Sequence, residues 1–312
     1  MTDNLMNYSS KVIIYMIERT NITVITVCDN HYAIMLAALI KSIEVNHLSG
    51  ELINLHIVDD HISKKTRNKI SACTKTNKIN ISWHKIENVI PKGTILPLDE
   101  TSYPLNMYAR LFIPYFLDET ISKAIYVDVD MIVNSDISEL WNISMNDKII
   151  GGVVDQLKII GGEEWTAISN YKELGLNSQS KYFNSGLLVM DVLKWRTNDI
   201  TSKIFKCIEQ NKEFIRFPDQ YGLNVVFIDQ WHEFDAKWNA YANQDIEKPA
   251  IVHFIMTKPI YKTYNLNKRY EQLFWTYLNQ TPFAGFRPMS KFRYYLQKGK
   301  IKINKKLLKI FN

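Results

Sequence analysis

The chain reads as an α/β protein built around a mostly parallel sheet, and three features of the sequence predict this. Runs rich in β-branched residues alternate with stretches of helical spacing, the pattern that βαβ units produce. Several of those runs are apolar almost throughout instead of at every second position, as strands covered on both faces are. With 312 residues, 46% of them hydrophobic and 22% charged, the chain can bury a large core.

Taken in order, residues 22–28 (Ile-Thr-Val-Ile-Thr-Val-Cys) form the first predicted strand, broken by Asp29 and Asn30. A helix is expected from about 32 to 45. A second strand, 53–58, runs into Asp59-Asp60, a polar helix follows over 64–75, and 79–83 is a third strand. Residues 106–113 read as helical. Strand 124–129, a buried strand over 149–154 and a run over 187–190 come next, the last passing into a helix at Asp191. Helices over 201–211 and 220–227 and a short strand over 250–253 complete the pattern. With no repeat or low-complexity linker, one domain with a C-terminal appendage is the simplest division.

Composition narrows the function. No uncharged apolar stretch reaches the roughly 18 residues of a membrane-spanning helix. The run from Val12 to Ile17 is stopped by Glu18 and Arg19 and lacks a small-residue cleavage pattern, so no signal peptide is expected. Cys28, Cys73 and Cys207 stand singly, which argues against a disulfide framework or zinc site and for a reducing, cytoplasmic setting. The net charge of +6 is uneven: nine of the 38 Lys and Arg residues fall from Arg287 onward, where Asp and Glu are absent. The first 286 residues hold the other 29 against 32 acidic side chains, a balance of −3.

The stretch Ala124-Ile125-Tyr126-Val127-Asp128-Val129-Asp130-Met131 carries the sharpest chemical signal. In an extended segment alternate side chains share a face, so Asp128 and Asp130 are expected to point the same way. Two hard oxygen donors at the mouth of a buried strand suit Mn²⁺ or Mg²⁺, and open α/β sheets bind ligands outside such strand ends. A polar strand end or a helix cap is the plainer reading of an isolated Asp-x-Asp. Asp29, Asn184-Ser185-Gly186, Asp219-Gln220 and His253 also fall near ends of predicted strands or starts of helices. Singly, Asp29 and Asp219 are equally suited to capping helices, Asn184-Ser185-Gly186 to a turn, and His253 to a buried structural role. A glycine at 186 would also admit close backbone approach.

In series, Cys28-Asp29-Asn30-His31-Tyr32-Ala33, Tyr108-Ala109-Arg110-Leu111, Tyr126-Val127-Asp128-Val129-Asp130, Tyr182-Phe183-Asn184-Ser185-Gly186, Pro218-Asp219-Gln220 and His253-Phe254 resemble glycosyltransferase family 8. The resemblance covers about residues 22 to 262. It implies a GT-A (Rossmann-like) fold and a retaining hexosyltransferase of the bacterial lipopolysaccharide galactosyl- and glucosyltransferase type, using UDP-galactose or UDP-glucose. It implies Asp128, Asp130 and His253 as ligands of Mn²⁺ or Mg²⁺, and Val27, Asp29 and Tyr32 as the nucleotide pocket. Asp29 would accept from the uracil ring N–H, and Tyr32 would stack on the base. Val129 joins the UDP-sugar contacts, and Arg110, Asn184, Ser185, Asp219 and Gln220 are the implied sugar contacts. Asp219 and Gln220 are the implied catalytic residues, with Gln220 near the reacting carbon. An amide is a poor nucleophile, so front-face displacement is favoured over a covalent intermediate. Lys258 would meet the departing phosphate as a point charge. The family usually follows its histidine with a Gly-containing loop and Lys-Pro-Trp; here the loop lacks Gly and Ile260 stands in the Trp position. Asp155 is the acceptor-side candidate.

The expected organisation is an N-terminal extension over 1–21, a catalytic domain over 22–283 and a basic segment over 284–312. From Phe286 aromatic and aliphatic residues interleave with the nine cations, the composition of a basic amphipathic helix at a membrane surface. The chain is thus expected as a peripheral protein on the inner face of the cytoplasmic membrane, acting on a saccharide or lipid-linked acceptor and not on nucleic acid. A nucleotidyltransferase would carry a Gly-rich, basic phosphate loop after the first strand, which Cys28-Asp29-Asn30-His31 does not provide. A membrane- or nucleic-acid-binding module without catalysis is the non-enzymatic alternative.

Overall fold

The computed structural model describes residues 21–92, 94, 105–162 and 167–290. Within them the chain runs β1 (Ile22–Asp29), α1 (Ala33–Asn46), β2 (Ile53–Asp60), α2 (Lys64–Ser71), β3 (Ile79–Lys85) and α3 (Ile86–Val89). A 3-10 helix (Leu105–Phe112) leads into α4 (Ile113–Phe116), β4 (Lys123–Val127), β5 (Met131–Val133), α5 (Ile137–Trp141), β6 (Ile150–Ile159) and β7 (Lys181–Asp191). Then follow α6 (Val192–Thr197), α7 (Ile200–Gln210), α8 (Pro218–Val226), β8 (His232–Glu233), β9 (Ala240–Tyr241), β10 (Ile251–His253) and α9 (Lys268–Leu278). Of the expected extension 1–21 and basic segment 284–312, residues 1–20 and 291–312 lie outside the described residues.

Seven strands form one sheet in the order β3-β2-β1-β4-β7-β6-β8. It is mostly parallel, as four of its six pairings are; the exceptions are the two made by β7, antiparallel to β4 and to β6. Period-two alternation divides each central strand between two cores. Val24 and Cys28 of β1, Ile125 and Val127 of β4, and Leu187 and Val189 of β7 face one core. Ile25 and Val27, Ala124 and Tyr126, and Leu188 and Met190 face the other. Strands buried on both faces cannot show polar alternation, hence the continuous apolar runs.

Helix α1 is apolar nearly all round because it lies between layers. It packs on the sheet on one side, and on β5 and α9 on the other. Leu36, Leu39 and Ile40 are fully buried, each worth about 1.5–3 kcal/mol as an upper estimate. Ser42 Oγ accepts from Val133 N at 3.0 Å, and Asn46 Nδ2 donates to Val133 O at 2.9 Å. A second sheet, β5-β10-β9, is thereby held against α1.

The structure corrects several boundaries. The polar helix stops at Ser71, and the helix expected over 106–113 is a 3-10 segment followed by the single turn of α4. Strand β4 ends at Val127, and β5 belongs to the second sheet. Asp128–Asp130 is therefore a turn between two sheets, closed by Met131 N on Asp128 O at 3.2 Å. The Asn184-Ser185-Gly186 triplet lies inside β7 instead of before it. There the pairing with β6 slips from Gly151–Val189 to Val153–Asn184, a bulge that re-aims side chains at a sheet rim. Strand β10 joins β5 and β9, so His253 approaches from the second sheet.

Candidate active site

The seam between the two sheets gathers Asp128, Asp130 and His253, whose donor atoms all lie within 4.8 Å of one another. Asp128 and Asp130 converge through the turn rather than through strand alternation. His253 ends β10, which pairs antiparallel with β5 so that His253 stands opposite Met131, the residue after the turn. Its Nε2 is 3.3 Å from Asp130 Oδ1 and 3.8 Å from Asp128 Oδ2. Phe254 N donates to Asp130 O at 2.9 Å, fixing turn and strand together. Among the described residues this is the cluster with a donor set for a divalent cation: carboxylate oxygens and one imidazole nitrogen, a combination that suits Mn²⁺.

Gly186 makes the convergence possible. A Cβ there would lie 2.6 Å from His253 Cε1, 2.7 Å from Asp128 Oδ2 and 2.9 Å from Asn184 Oδ1. Its carbonyl accepts from Asp128 N at 2.8 Å. The close approach expected at this glycine is thus made by the candidate ligands themselves.

Protein cations hold both carboxylates. Arg110, buried in the 3-10 helix, spreads its fork over three partners. Nη1 donates to Ser185 O at 2.6 Å and Oγ at 3.0 Å, Nη2 donates to Asp128 Oδ1 at 3.0 Å, and Nε faces Asp219 Oδ2 at 3.2 Å. Its guanidinium also lies over the Tyr126 ring at 4.6 Å, and the Tyr126 hydroxyl donates to Asp128 Oδ1 at 2.6 Å. Lys258 pairs with Asp130 Oδ2 and donates to Phe254 O. Burial pushes the Asp128 carboxyl up, against the pull of Arg110. Burial also opposes ionisation of Asp130, but Lys258 and His253 outweigh it and hold that carboxyl below the usual range. Burial likewise raises the Tyr126 phenol far above its ordinary value.

A second polar cluster adjoins the first. Asp219 and Gln220 open α8 behind Pro218, the proline suited to a first helical turn. Asp219 is not the cap; its Oδ2 accepts from Ser185 Oγ at 3.0 Å. Gln220 Oε1 accepts from Ser185 N at 2.9 Å and from Asn184 Nδ2 at 3.3 Å, and its Nε2 donates to Asp155 Oδ2 at 3.3 Å. Asp155 also accepts from Asn184 Nδ2 at 2.9 Å. The expected sugar contacts and the expected acceptor-side residue are therefore one hydrogen-bonded group.

At the end of β1, Asp29 Oδ1 accepts from His31 N and Tyr32 N, each at 2.9 Å. The carboxylate thus closes the turn ahead of α1 without capping the helix, whose N-cap position is Tyr32. Val27 is buried, and Tyr32 and Val129 are partly buried against the α1 core. His31 Nε2 meets Tyr261 Oη at 2.6 Å, linking this turn to the segment after Lys258. That segment is anchored further along: Met289 N donates to Ile260 O at 2.8 Å, and Lys262 N to Met289 O at 2.9 Å. Between the anchors Met256 is 81% exposed with φ of 60°, a conformation that favours glycine. No glycine stands in this stretch, Phe254 to Lys258.

Sequence reasoning missed three contributors. Asn224 reads β7 like another strand, accepting from Phe183 N at 2.8 Å and donating to Phe183 O at 2.9 Å, and so sets α8 against Ser185. Its position one helical turn after Gln220 was the available signal. Tyr241 reaches Asp155 Oδ2 at 3.5 Å. Asn239 Oδ1 accepts from His253 Nδ1 at 3.0 Å. The last two sit in or beside two-residue strands with no periodicity to read.

With this geometry in view, residues 23–260 match the family described as Glycosyl transferase family 8. General stress protein A of Bacillus subtilis (strain 168) is 27% identical over 252 residues, 74% of this chain and 84% of its own. The lipopolysaccharide 1,2-glucosyltransferase of Escherichia coli (strain K12) is 27% identical over 198 residues, 64% of this chain and 56% of its own. Glycosyltransferase GlyB of Streptococcus pneumoniae (serotype 4, strain TIGR4) is 26% identical, and the chain spans 59% of its length. The fold is shared with the galactosyltransferase LgtC, solved with donor and acceptor sugar analogues, at a TM-score of 0.70 and 22% identity over 84% of this chain and 96% of that one.

Proposed function

This chain belongs to glycosyltransferase family 8, and from that premise we propose that it is a metal-dependent, retaining hexosyltransferase. It moves galactose or glucose from a UDP-sugar to a saccharide acceptor of a cell-surface glycan such as lipopolysaccharide. One observation carries the reading: Asp128, Asp130 and His253 bring two carboxylates and an imidazole nitrogen within 4.8 Å, around a glycine that leaves them room. These three residues would hold the cation, Mn²⁺ or Mg²⁺. When bound it supplies Lewis-acid neutralisation of the diphosphate leaving group.

The rest of the chemistry belongs to the side chains. Asp29 shapes the turn that receives the nucleotide, with Val27, Tyr32 and Val129 as its apolar and stacking surfaces. Arg110 aims Asp128 and opposes the effect of burial on it, while Asp219 and Ser185 hold Arg110 in turn. Asn184, Ser185, Asp219 and Gln220 receive the hexose. Gln220 is fixed through its oxygen by Ser185 N, so it presents an amide and not a nucleophile beside the anomeric carbon. Front-face displacement follows, the departing phosphate taking the acceptor proton. Lys258, which pairs with Asp130 here, lies in the segment after β10 and meets the charge that develops on that phosphate. Asp155, hydrogen-bonded to Asn184 and Gln220, lies on the acceptor side.

The nine cations after Phe286 support peripheral binding to the anionic inner leaflet, each worth about 1 kcal/mol near such a surface. Among the described residues no helix is long and apolar enough to cross a membrane. The decisive experiment is a mass-spectrometric screen of UDP-sugars with Mn²⁺, following hydrolysis without acceptor. Turnover of UDP-galactose or UDP-glucose that EDTA stops is the expected result. Turnover untouched by EDTA would sink the metal role, and no turnover of any UDP-sugar would sink the donor class.

A further inference from the structure

Asn239 holds none of the roles assigned above, yet it touches both halves of the site. It ends the 3-10 helix Ala236–Asn239, which Asp235 caps through Lys237 N and the buried Trp238 anchors. Asn239 itself is 1% exposed. Its hydrogen bonds form a chain whose direction is set at one end by the backbone. The Gly186 N–H has one possible polarity, and it donates to Asn184 Oδ1 at 3.0 Å. That turns the Asn184 oxygen toward Asn239, whose Nδ2 donates to it at 3.1 Å. Asn239 must then present its oxygen to His253 Nδ1, at 3.0 Å. An acceptor there keeps the proton on Nδ1 and leaves Nε2 as the atom facing Asp128 and Asp130. Histidines that bind metals are commonly fixed through their other ring nitrogen in this way. At the far end Asn184 Nδ2 reaches Asp155 Oδ2 and Gln220 Oε1.

We propose that Asn239 is a positioning residue that sets the His253 tautomer for a divalent cation and, through Asn184, couples cation binding to binding of the hexose. The inference rests on the cation and hexose reading above. It separates two functions of a single amide: the oxygen serves the cation site, and the nitrogen serves the hexose site. Asn239→Asp keeps an acceptor for His253 Nδ1 but loses the donor to Asn184. Asn239→Leu, of similar size, loses both.

The test measures Mn²⁺ binding without nucleotide by electron paramagnetic resonance or calorimetry, then thermal shifts with UDP and with UDP-glucose or UDP-galactose at saturating Mn²⁺. Asn239→Leu is expected to weaken Mn²⁺ binding about 10–100-fold. Asn239→Asp is expected to keep wild-type Mn²⁺ affinity within about threefold, while the advantage of UDP-hexose over UDP falls about tenfold. A leucine variant that binds Mn²⁺ like the wild type overturns the proposal, as does an aspartate variant that loses both properties together. If the leucine variant does not give a cooperative melt, the aspartate variant decides by whether its two readouts separate. Wild-type protein that binds no Mn²⁺ overturns the cation reading itself, whereas binding insensitive to residue 239 overturns the role of Asn239 alone.

Discussion

Asp136 and the pair Asp128 and Asp130 lie within nine residues of one another, and their surroundings are opposite in kind. Asp136 is held by the backbone: Leu48 N at 2.6 Å, Ser49 N at 2.8 Å and Ser138 N at 3.0 Å donate to it, and His47 Nδ1 lies 2.9 Å away. It caps α5 and ties the end of α1 to the second sheet. Asp128 and Asp130 are held mainly by side chains, Arg110, Lys258, Tyr126 and His253. Backbone donors cannot leave without unfolding, so a carboxylate satisfied by them is a structural joint. A carboxylate held by cationic side chains can exchange partners when a cation or a phosphate arrives. Burial alone would not have told these acids apart; the donors do.

The sharpest test of that contrast is Asp130→Ala. Hydrolysis of the UDP-sugar should fall about 10³-fold, the several kcal/mol that lost charge stabilisation costs, with urea unfolding shifted less than in an Asp136 variant. An Asp130→Ala enzyme of near wild-type rate would break the comparison. Gly186→Ala comes next. Its methyl would strike His253 and Asp128, which the two sheets fix in place, and activity and Mn²⁺ affinity should fall together by about 10²-fold. Asp136→Ala is expected to do the reverse. It deprives backbone N–H groups of their acceptor and should lower stability by about 2 kcal/mol in urea unfolding, while the folded fraction retains its specific activity.

Acid sharpens the same distinction with the smallest effect. Burial opposes ionisation of Asp136, yet the Leu48 and Ser138 N–H groups hold its carboxyl below the usual range. Its contribution is therefore complete above the unfolded carboxylate pKa of about 4 and fades as pH falls below that value. A separate loss begins earlier. Burial and His84 push His56 down from 6.5 to about 4. The unfolded chain thus takes up a proton that the folded chain refuses between those values, and stability falls as pH drops through that window. Discounted for partial exposure, this is worth about 1 kcal/mol. Urea midpoints at pH 7.5, 5 and 3.5 should decline in two stages. In His56→Gln the upper stage should flatten and the lower one persist; a single-stage decline in the wild type would remove the His56 contribution.

What the sequence made legible follows from physical period. Strands β1 and β4 could be read because largely apolar runs rich in Ile and Val suit a doubly covered strand better than a loop, β2 because Ile53, Leu55 and Ile57 alternate with Asn54 and His56, and α1 because it is apolar over most of its surface. Asp128, Asp130 and His253 were singled out because carboxylates and an imidazole at the ends of apolar runs are chemically conspicuous. The geometry behind them was not legible. Alternation along one strand was expected to align the two aspartates, but a turn between sheets does so. Strand β7 was read only from 187, because Tyr182 to Gly186 mixes polar and apolar residues over a bulge. Asn239 and Tyr241 lie where elements last two to four residues, too short for any repeat. Their importance comes from long-range hydrogen bonds that a linear pattern does not encode.

The span from Phe254 to Lys262 behaves like a bridge resting on two abutments. One is the Phe254–Asp130 backbone bond; the other is the ladder to Met289, braced by the His31–Tyr261 contact. The crown is Met256, exposed and in a conformation its side chain disfavours. Displacement of such a span concentrates at the crown and leaves the footings still. A shift of the Lys258 side chain away from Asp130 would therefore be taken up within the span, with both sheets left in place.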